Sequence, residues 1–333
     1  LTKSIELALL FIIVREWSTG LCWSRGAETS AMTYWLICNS GAGDGERGRD
    51  FWLEHLATAG IHDPRCRDFE ESDWSTRLDD RDTLIVAGGD GSVNRAAAVC
   101  REKGATLAVL PSGTANDFAR NLGLPHQPEA LCELIASGRT QIVDVADFGD
   151  GMFLNVAHVG MGTLPARESR GTEKKLFGRF SYVVELLRRL NAKRGFRATI
   201  RCDRGVVKGR WLSIAVANGA FFGGGNEIPE ASVSDGQLAI VAVRPRPILQ
   251  LLFTFLMVRL NRQTPRRTST LVHIRSQRCL VHTGKPKTVT ADGDVVSRTP
   301  LNVVCKSACL RVIGDRIVST ADGDAGDVIS GGT

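Results

Sequence analysis

Apolar and polar positions along the chain fall into two textures that change near residue 148. In the first, short apolar runs alternate with glycine turns and stretches of helical spacing. A strand is expected over 34–38, running into Asn39-Ser40-Gly41-Ala42-Gly43. Phe51, Trp52, Leu53 and Leu56 have helical spacing within 50–59. After a polar stretch over 61–82, residues 83–87 form a β-rich run bounded by charge on one side and Gly88-Gly89 on the other. The glycine turn opens an alanine-rich helix, with Ser92 as its expected cap. A second such unit follows: strand 106–110, turn 111–114, helix 116–122. Another helix (128–137) and strand (142–145) complete this half. Strands alternating with helices at this spacing predict a parallel sheet covered on both faces. Ligands of such sheets sit beyond the C-terminal strand ends, so the Asp90 turn and the 111–117 turn are expected on one edge.

In the second texture, runs rich in β-formers recur at 152–157, 196–202, 211–217, 238–243, 271–275, 279–282, 287–291, 301–304 and 309–313. Glycine and charge separate them, which predicts an antiparallel sheet domain. Two helices interrupt it, over 176–190 and 247–260. The second is almost wholly apolar and ends among Arg259, Arg262, Arg266 and Arg267. The expected organisation is a nucleotide-type α/β domain over 32–147, a β-rich domain over 148–300, a segment over 301–318 returning to the first domain, and a disordered tail over 319–333. Residues 1–31 are expected to lie outside the fold, as translation from an upstream start or as a membrane-touching helix. Their apolar run at 5–14 is too short to span a bilayer, and no small-residue cleavage site follows it.

With 43% hydrophobic and 23% charged residues, the chain has the composition of a soluble globular protein, and its 333 residues allow two domains. The net charge of +6 is uneven. Residues 167–210 hold 14 Lys/Arg against 4 Asp/Glu, so the remainder is slightly acidic. One basic face on such a body points to an anionic partner, phospholipid or nucleic acid. The nine cysteines form no C-x-x-C pair, and Cys305 and Cys309 lack a histidine spacing that would complete a zinc site. A reduced, cytoplasmic protein is expected.

Candidate chemistry gathers at four places. Gly88, Gly89, Asp90, Gly91 and Ser92 make a glycine turn at a helix start, which suits phosphate. Asp90 is out of place in an anion site unless a cation or a bound water lies between the two negative groups, Mg²⁺ shared with a nucleotide being the natural candidate. A structural turn needing only small residues is the alternative. Ser112, Gly113 and Thr114 offer hydroxyls and N–H groups to phosphate or ribose, with Asn116 and Asp117 at the next helix start, where they could also be simple caps. Gly223-Gly224-Gly225 allows close backbone approach, and Asp235-Gly236 is either a hairpin turn or a divalent-ion site. Asp292 and Asp294, one residue apart on a turn, can supply a general base with an electrostatic or metal partner. Asp322, Asp324 and Asp327 suggest a calcium loop only faintly, because its terminal glutamate is missing.

GGDGS at 88–92, PSGTANDFAR at 111–120, GGGNEIPEA at 223–231 with SDGQL at 234–238, and ADGD at 291–294 occur in that order. Together they resemble the diacylglycerol kinase catalytic-domain family, and most of all its small soluble bacterial lipid kinases, over residues 33 to about 314. The resemblance implies a phosphofructokinase- or NAD-kinase-like α/β domain, a β-sandwich-like domain and an active site in the cleft. It implies that Asn39, Gly41 and Gly43 form a first nucleotide loop, with Ser40 in place of a proline. ATP would also meet Gly88 to Ser92, Asn94, Ser112, Gly113, Thr114, Asn116 and Asp117. Asp90, Asp117 and Asp144 would form an aspartate and water network positioning Mg²⁺. Asp235 would be a structural Mg²⁺ ligand, with Ser232 and Gln237 adding backbone oxygens. Asp292 would be the general base. Asp294 and Arg95 both stand where the family usually has glutamate, and Arg95 puts the metal arrangement in question.

The implied reaction passes the γ-phosphoryl group of ATP to a hydroxyl of a membrane lipid such as diacylglycerol, by positioning and charge neutralisation. The basic 167–210 stretch and the 247–267 helix become candidates for peripheral contact with an anionic membrane surface. The plainer reading of that helix is a core or domain-bridging element. Nucleic acid is then not an expected partner, and a homodimer is possible. Two alternatives remain: an NAD-kinase-like enzyme, which explains GGDG but not the later motifs, and a catalytically weak nucleotide- or lipid-binding regulator.

Overall fold

The computed structural model describes residues 32–39, 47–71, 73–160, 195–261 and 269–315. The expectations for residues 1–31, Gly41, Gly43, most of the basic stretch, the 176–190 helix, Arg262, Arg266, Arg267 and the tail therefore lie outside the described residues. The elements below belong to one compact unit, Thr33–Thr333.

The first half runs β1 (Tyr34–Cys38), α1 (Arg49–Thr58), β2 (Arg65–Arg67), β3 (Thr83–Gly88), α2 (Asp90–Lys103), β4 (Thr106–Pro111), α3 (Asp117–Asn121), α4 (Pro128–Ala136) and β5 (Thr140–Asp147). β1, β2, β3 and β4 pair in parallel. β3 is buried along its whole length, as a strand covered on both faces must be. The packed face of α2 carries Val93, Ala96, Ala97 and Cys100, small enough to bring the helix close to the sheet. The structure adds β2, which the polar 61–82 stretch hides.

The second half runs β6 (Met152–Phe153), β7 (Val156–Gly160), β8 (Phe196–Cys202), β9 (Gly205–Trp211), β10 (Ser213–Ala217), β11 (Phe221–Phe222), β12 (Asn226–Glu227), β13 (Leu238–Val243), α5 (Ile248–Asn261), β14 (Leu271–Ser276), β15 (Arg278–Thr283), β16 (Thr288–Ala291), β17 (Asp294–Arg298) and β18 (Leu301–Ile313). One antiparallel sheet has the order β14-β13-β10-β7-β16-β17. It packs against β8, β9, β15 and β18 through a core that includes Val159, Val216, Ile240 and Val289 from one side and Ile200, Val281 and Val303 from the other. This is the sandwich arrangement of alternating inward side chains.

Four expected runs divide or fuse differently. The 152–157 run breaks into β6 and β7, because the Leu154, Asn155 and Val156 N–H groups turn to a carboxylate instead of a ladder. The 211–217 run breaks at Leu212, since β9 and β10 belong to different sheets. The runs at 301–304 and 309–313 are one strand, β18, with a register shift between Lys306 and Leu310 and Ala308 in the left-handed region (φ 48). β18 pairs with β15 at its start and with β5 and β4 further on, so a single ten-stranded sheet runs through both halves. Among the described residues, no helix is long and apolar enough to cross a membrane.

Candidate active site

The turns that follow β3 and β4 touch. Ser112 N donates to Gly88 O (3.1 Å), and a Cβ on Gly113 would stand 2.4 Å from the Gly89 Cα. Close approach, not an unusual φ, is what demands glycine here: Gly89 is extended (φ −88°, ψ −179°). α2 starts at Asp90 with Gly89 as its N-cap, three residues before the expected cap. Ser92 is therefore inside the first turn and is not the cap. Its hydroxyl accepts a hydrogen bond from Asn39 Nδ2 (2.8 Å), tying the end of β1 to the turn. Asn116 closes the second turn on itself, accepting from Gly113 N (3.0 Å) and donating to Gly113 O (2.7 Å). Ser112 Oγ accepts from Trp52 Nε1 (3.1 Å), while Thr114 is exposed at the tip.

The two aspartates of these turns divide their work. Asp90 Oδ1 accepts from Phe118 N (3.1 Å), binding α3 to the start of α2. Asp117 reaches across to the other half, accepting from Gly224 N (3.0 Å) and Gly225 N (2.9 Å). Burial holds the Asp117 carboxyl above its ordinary range; the two glycine N–H groups oppose this and the nearby Asp90 charge adds to it.

Asp292 sits in the β16–β17 turn with a left-handed backbone (φ 47). Its carboxylate accepts four hydrogen bonds. Oδ2 takes Leu154 N and Asn94 Nδ2, both at 2.8 Å, and Oδ1 takes Asn155 N and Val156 N, both at 3.0 Å. Asn94 is on the second turn of α2, so the fourth motif is anchored directly on the first. Burial pushes the Asp292 carboxyl up to about 6 against the pull of those donors. Asp294 is exposed, and its Oδ2 lies 3.8 Å from where a Cβ on Gly91 would stand, beside the first turn of α2.

Asp144 bonds to other segments than Asp90 and Asp117 do. It accepts from Gly236 N (2.6 Å) and Ala308 N (2.8 Å), which fixes the 235–236 turn and the irregular part of β18. Asp235 accepts from Gln237 N (2.9 Å) and is paired with the Arg275 guanidinium. The Ser232 and Ser234 hydroxyls are 3.2 Å apart. Burial raises the Asp235 carboxyl, with the Gln237 N–H and the Arg275 charge opposing.

These donor sets fit Mg²⁺ at one place and not at the other. Asp90 and Asp117 are two carboxylates repelling one another beside glycine turns, a pair that a divalent ion held with a nucleotide would relieve. At Asp235 a guanidinium already neutralises the carboxylate. No group of three or more His, Cys, Asp or Glu side chains placed to hold a metal occurs among the described residues.

Three asparagines that motif reading passes over join the halves. Asn121 Nδ2 donates to Asn155 Oδ1 (2.8 Å) while its Oδ1 accepts from Ala220 N (2.8 Å). Asn218 Nδ2 donates to the Asp144 and Leu154 carbonyls, each at 3.0 Å. All three residues are buried. Their signal in the sequence is a lone asparagine beside or inside an apolar run, as in Phe153-Leu154-Asn155-Val156 and Ala215-Val216-Ala217-Asn218. Arg95, the doubtful substitution, points elsewhere: it lies over the Phe69 ring, donates to Phe69 O (2.7 Å) and is 3.7 Å from Glu70.

The profile of the diacylglycerol kinase catalytic domain matches residues 33–148, and that of the YegS C-terminal NAD kinase beta sandwich-like domain matches 157–314. Residues 33–148 are thus similar to the diacylglycerol kinase catalytic domain, and the residues after them to the C-terminal sandwich of YegS. The probable lipid kinase YegS-like of Cronobacter sakazakii is 38% identical over 180 residues, covering 52% of this chain and 60% of that protein. Its namesake in Pseudomonas aeruginosa is 34% identical over 168 residues, covering 50% and 55%. The matches thus span about 60% or less of these curated relatives. The crystal structure of a Bacillus anthracis protein assigned as a diacylglycerol kinase superposes with a TM-score of 0.69 at 25% identity, over 86% of this chain and 99% of that one. The profile matched by the second half is itself described as NAD kinase beta sandwich-like, so that half does not separate the two kinase readings.

Proposed function

We propose that the chain is an ATP-dependent lipid kinase that transfers the γ-phosphoryl group to a hydroxyl of a membrane lipid such as diacylglycerol. The observation that carries this reading is Asp292: a carboxylate raised to about 6, seated on α2 through Asn94, beside two glycine turns that can hold phosphates. The 88–92 turn offers N–H groups and the positive end of α2 to the nucleotide phosphates, and the 111–114 turn adds the exposed Thr114 at its tip. A divalent cation held by Asp90 and Asp117 would neutralise phosphate charge there. The lipid hydroxyl gives its proton to Asp292 Oδ2 as its oxygen forms the new bond to the γ-phosphorus, and the bond from that phosphorus to the bridging oxygen of ADP breaks.

Each Asp292 oxygen already accepts two hydrogen bonds, so taking a proton requires one to yield. Three donors are fixed backbone groups. Asn94 is the one side chain of the four, and it can rotate away. Its hydrogen bond also favours the ionised form.

The base works only when ionised, so activity is expected to fall as pH drops through about 6, towards tenfold per unit. Asn94→Ala removes a bond that lowers the Asp292 pKa, so this acid limb should move to higher pH; an unmoved limb in kcat/KM against pH would refute the coupling. The activity itself is tested with labelled ATP, Mg²⁺ and a panel of lipids in mixed micelles. Label on a lipid hydroxyl supports the reading, and label on NAD overturns it. ATP binding with no labelled lipid would favour the regulator. Arg95 gives that alternative little support, because its contacts are with Phe69 and Glu70 and not with the candidate site.

A further inference from the structure

Helix α5 is the reverse of an ordinary surface helix. Leu249, Leu252, Phe253, Leu256 and Met257 follow one another at helical spacing and are 77, 41, 65, 53 and 37% exposed. They form one outward stripe. Its polar groups are tied locally: Gln250 Nε2 donates to Ser269 Oγ (3.1 Å), and Thr254 Oγ1 donates to Gln250 O (2.8 Å). Leu251, in the first turn, is buried. The helix is thus fixed at its base and offers its apolar face to the surroundings. A contiguous exposed face of this kind marks an interaction site.

Charge selects the partner. From residue 236 to 291 the sequence holds ten Lys/Arg and no Asp or Glu, and α5 lies in the middle of that stretch. Arg244 and Arg246 flank its N-terminal end, where Arg244 lies over the Trp211 ring and Arg246 donates to Ser269 O (2.9 Å). At 14 residues the helix is about 21 Å long, too short to span a bilayer upright. An apolar stripe with Arg244 and Arg246 at its base, within a stretch of sequence rich in cations and free of carboxylates, matches a surface of anionic phospholipid.

We propose that α5 docks this protein on anionic bilayers by laying its Leu249–Leu252–Phe253–Leu256–Met257 face into the interfacial region. The purpose of such docking rests on the lipid-kinase reading, but its test does not. Wild-type protein without nucleotide is sedimented with vesicles of phosphatidylcholine alone or with a quarter phosphatidylglycerol. Binding to the anionic vesicles, weakened by 0.5 M NaCl, is expected, and Leu249→Ser/Phe253→Ser/Leu256→Ser together should lower partitioning at least about 100-fold. These side chains are exposed, so thermal unfolding should change little. Should the triple variant misfold, Phe253→Trp gives a second reading: vesicles with brominated acyl chains should quench its fluorescence beyond that of wild type. Wild type that ignores anionic vesicles, a folded triple variant that binds them equally, or a Phe253→Trp variant quenched no more than wild type overturns the proposal. So does a wild-type dimer that the triple variant dissolves into monomers without any vesicle binding, which would assign the stripe to a second copy. Loss of docking with lipid still labelled in micelles leaves the kinase reading standing, and docking without any labelled lipid does the opposite.

Discussion

Asp292→Asn is expected to lower turnover about a thousandfold while ATP affinity stays within about twofold. The separation follows from where the residue sits. Its carboxylate bonds to Leu154, Asn155, Val156 and Asn94, and none of these belongs to the two glycine turns. An amide keeps the size of the side chain but cannot take a proton near neutral pH. It also sets an NH₂ group against donors on one side of a site built for four acceptor positions, and a rotation of Asn94 can relieve part of that clash. Turnover is read from labelled lipid product, and affinity from direct nucleotide titration. Retention of more than about a tenth of wild-type turnover would remove Asp292 from the role of base. A parallel collapse of ATP affinity would make the residue a nucleotide-site support instead.

Gly113→Ala should strike the nucleotide site itself. The new Cβ would fall 2.4 Å from the Gly89 Cα and 3.2 Å from Gly89 N, so the obstacle is backbone and cannot rotate away. The β3 and β4 turns must move apart, which strains the Ser112–Gly88 hydrogen bond and the closed Asn116 turn. A loss of about 1–3 kcal/mol in stability is expected, as for other insertions into tight packing, together with at least a tenfold loss in ATP affinity. Gly284→Ala is the control: nothing lies within 4 Å of its added Cβ, and it should be neutral within about 0.5 kcal/mol. Equal behaviour of the two variants in denaturant melts and nucleotide titration would show that the approach of the two turns does not matter.

The α/β half was legible because its signals are local. Each strand is a continuous apolar run followed by glycine, and each helix shows its spacing within ten residues or so. The clustering of motifs was legible only in part. The rule that ligands sit beyond parallel strand ends brings the 88–92 and 111–117 turns together, and these turns do touch. The Asp144 carboxylate binds the Gly236 and Ala308 N–H groups, which the sequence around residue 144 does not name. Its partners depend on a register shift in β18, a strand some 160 residues later, and no local pattern announces that shift. The 247–260 helix reads as core from its sequence because it is apolar nearly all round. Only the placement of its neighbours leaves five of those side chains in solvent.

By itself the sequence determined the two textures, the central strand–turn–helix units and the identity of the four motifs, since each depends on residues close together in the chain. Tertiary structure decided what those motifs do to one another. It set Asp292 on Asn94, 198 residues away, and put the 223–225 glycines on Asp117. It paired Asp235 with Arg275, and it carried one sheet through both halves by way of β18. The reason is range: hydrogen-bond partners of a carboxylate follow from the register and crossing of distant strands, which apolar periodicity constrains only to the correct face.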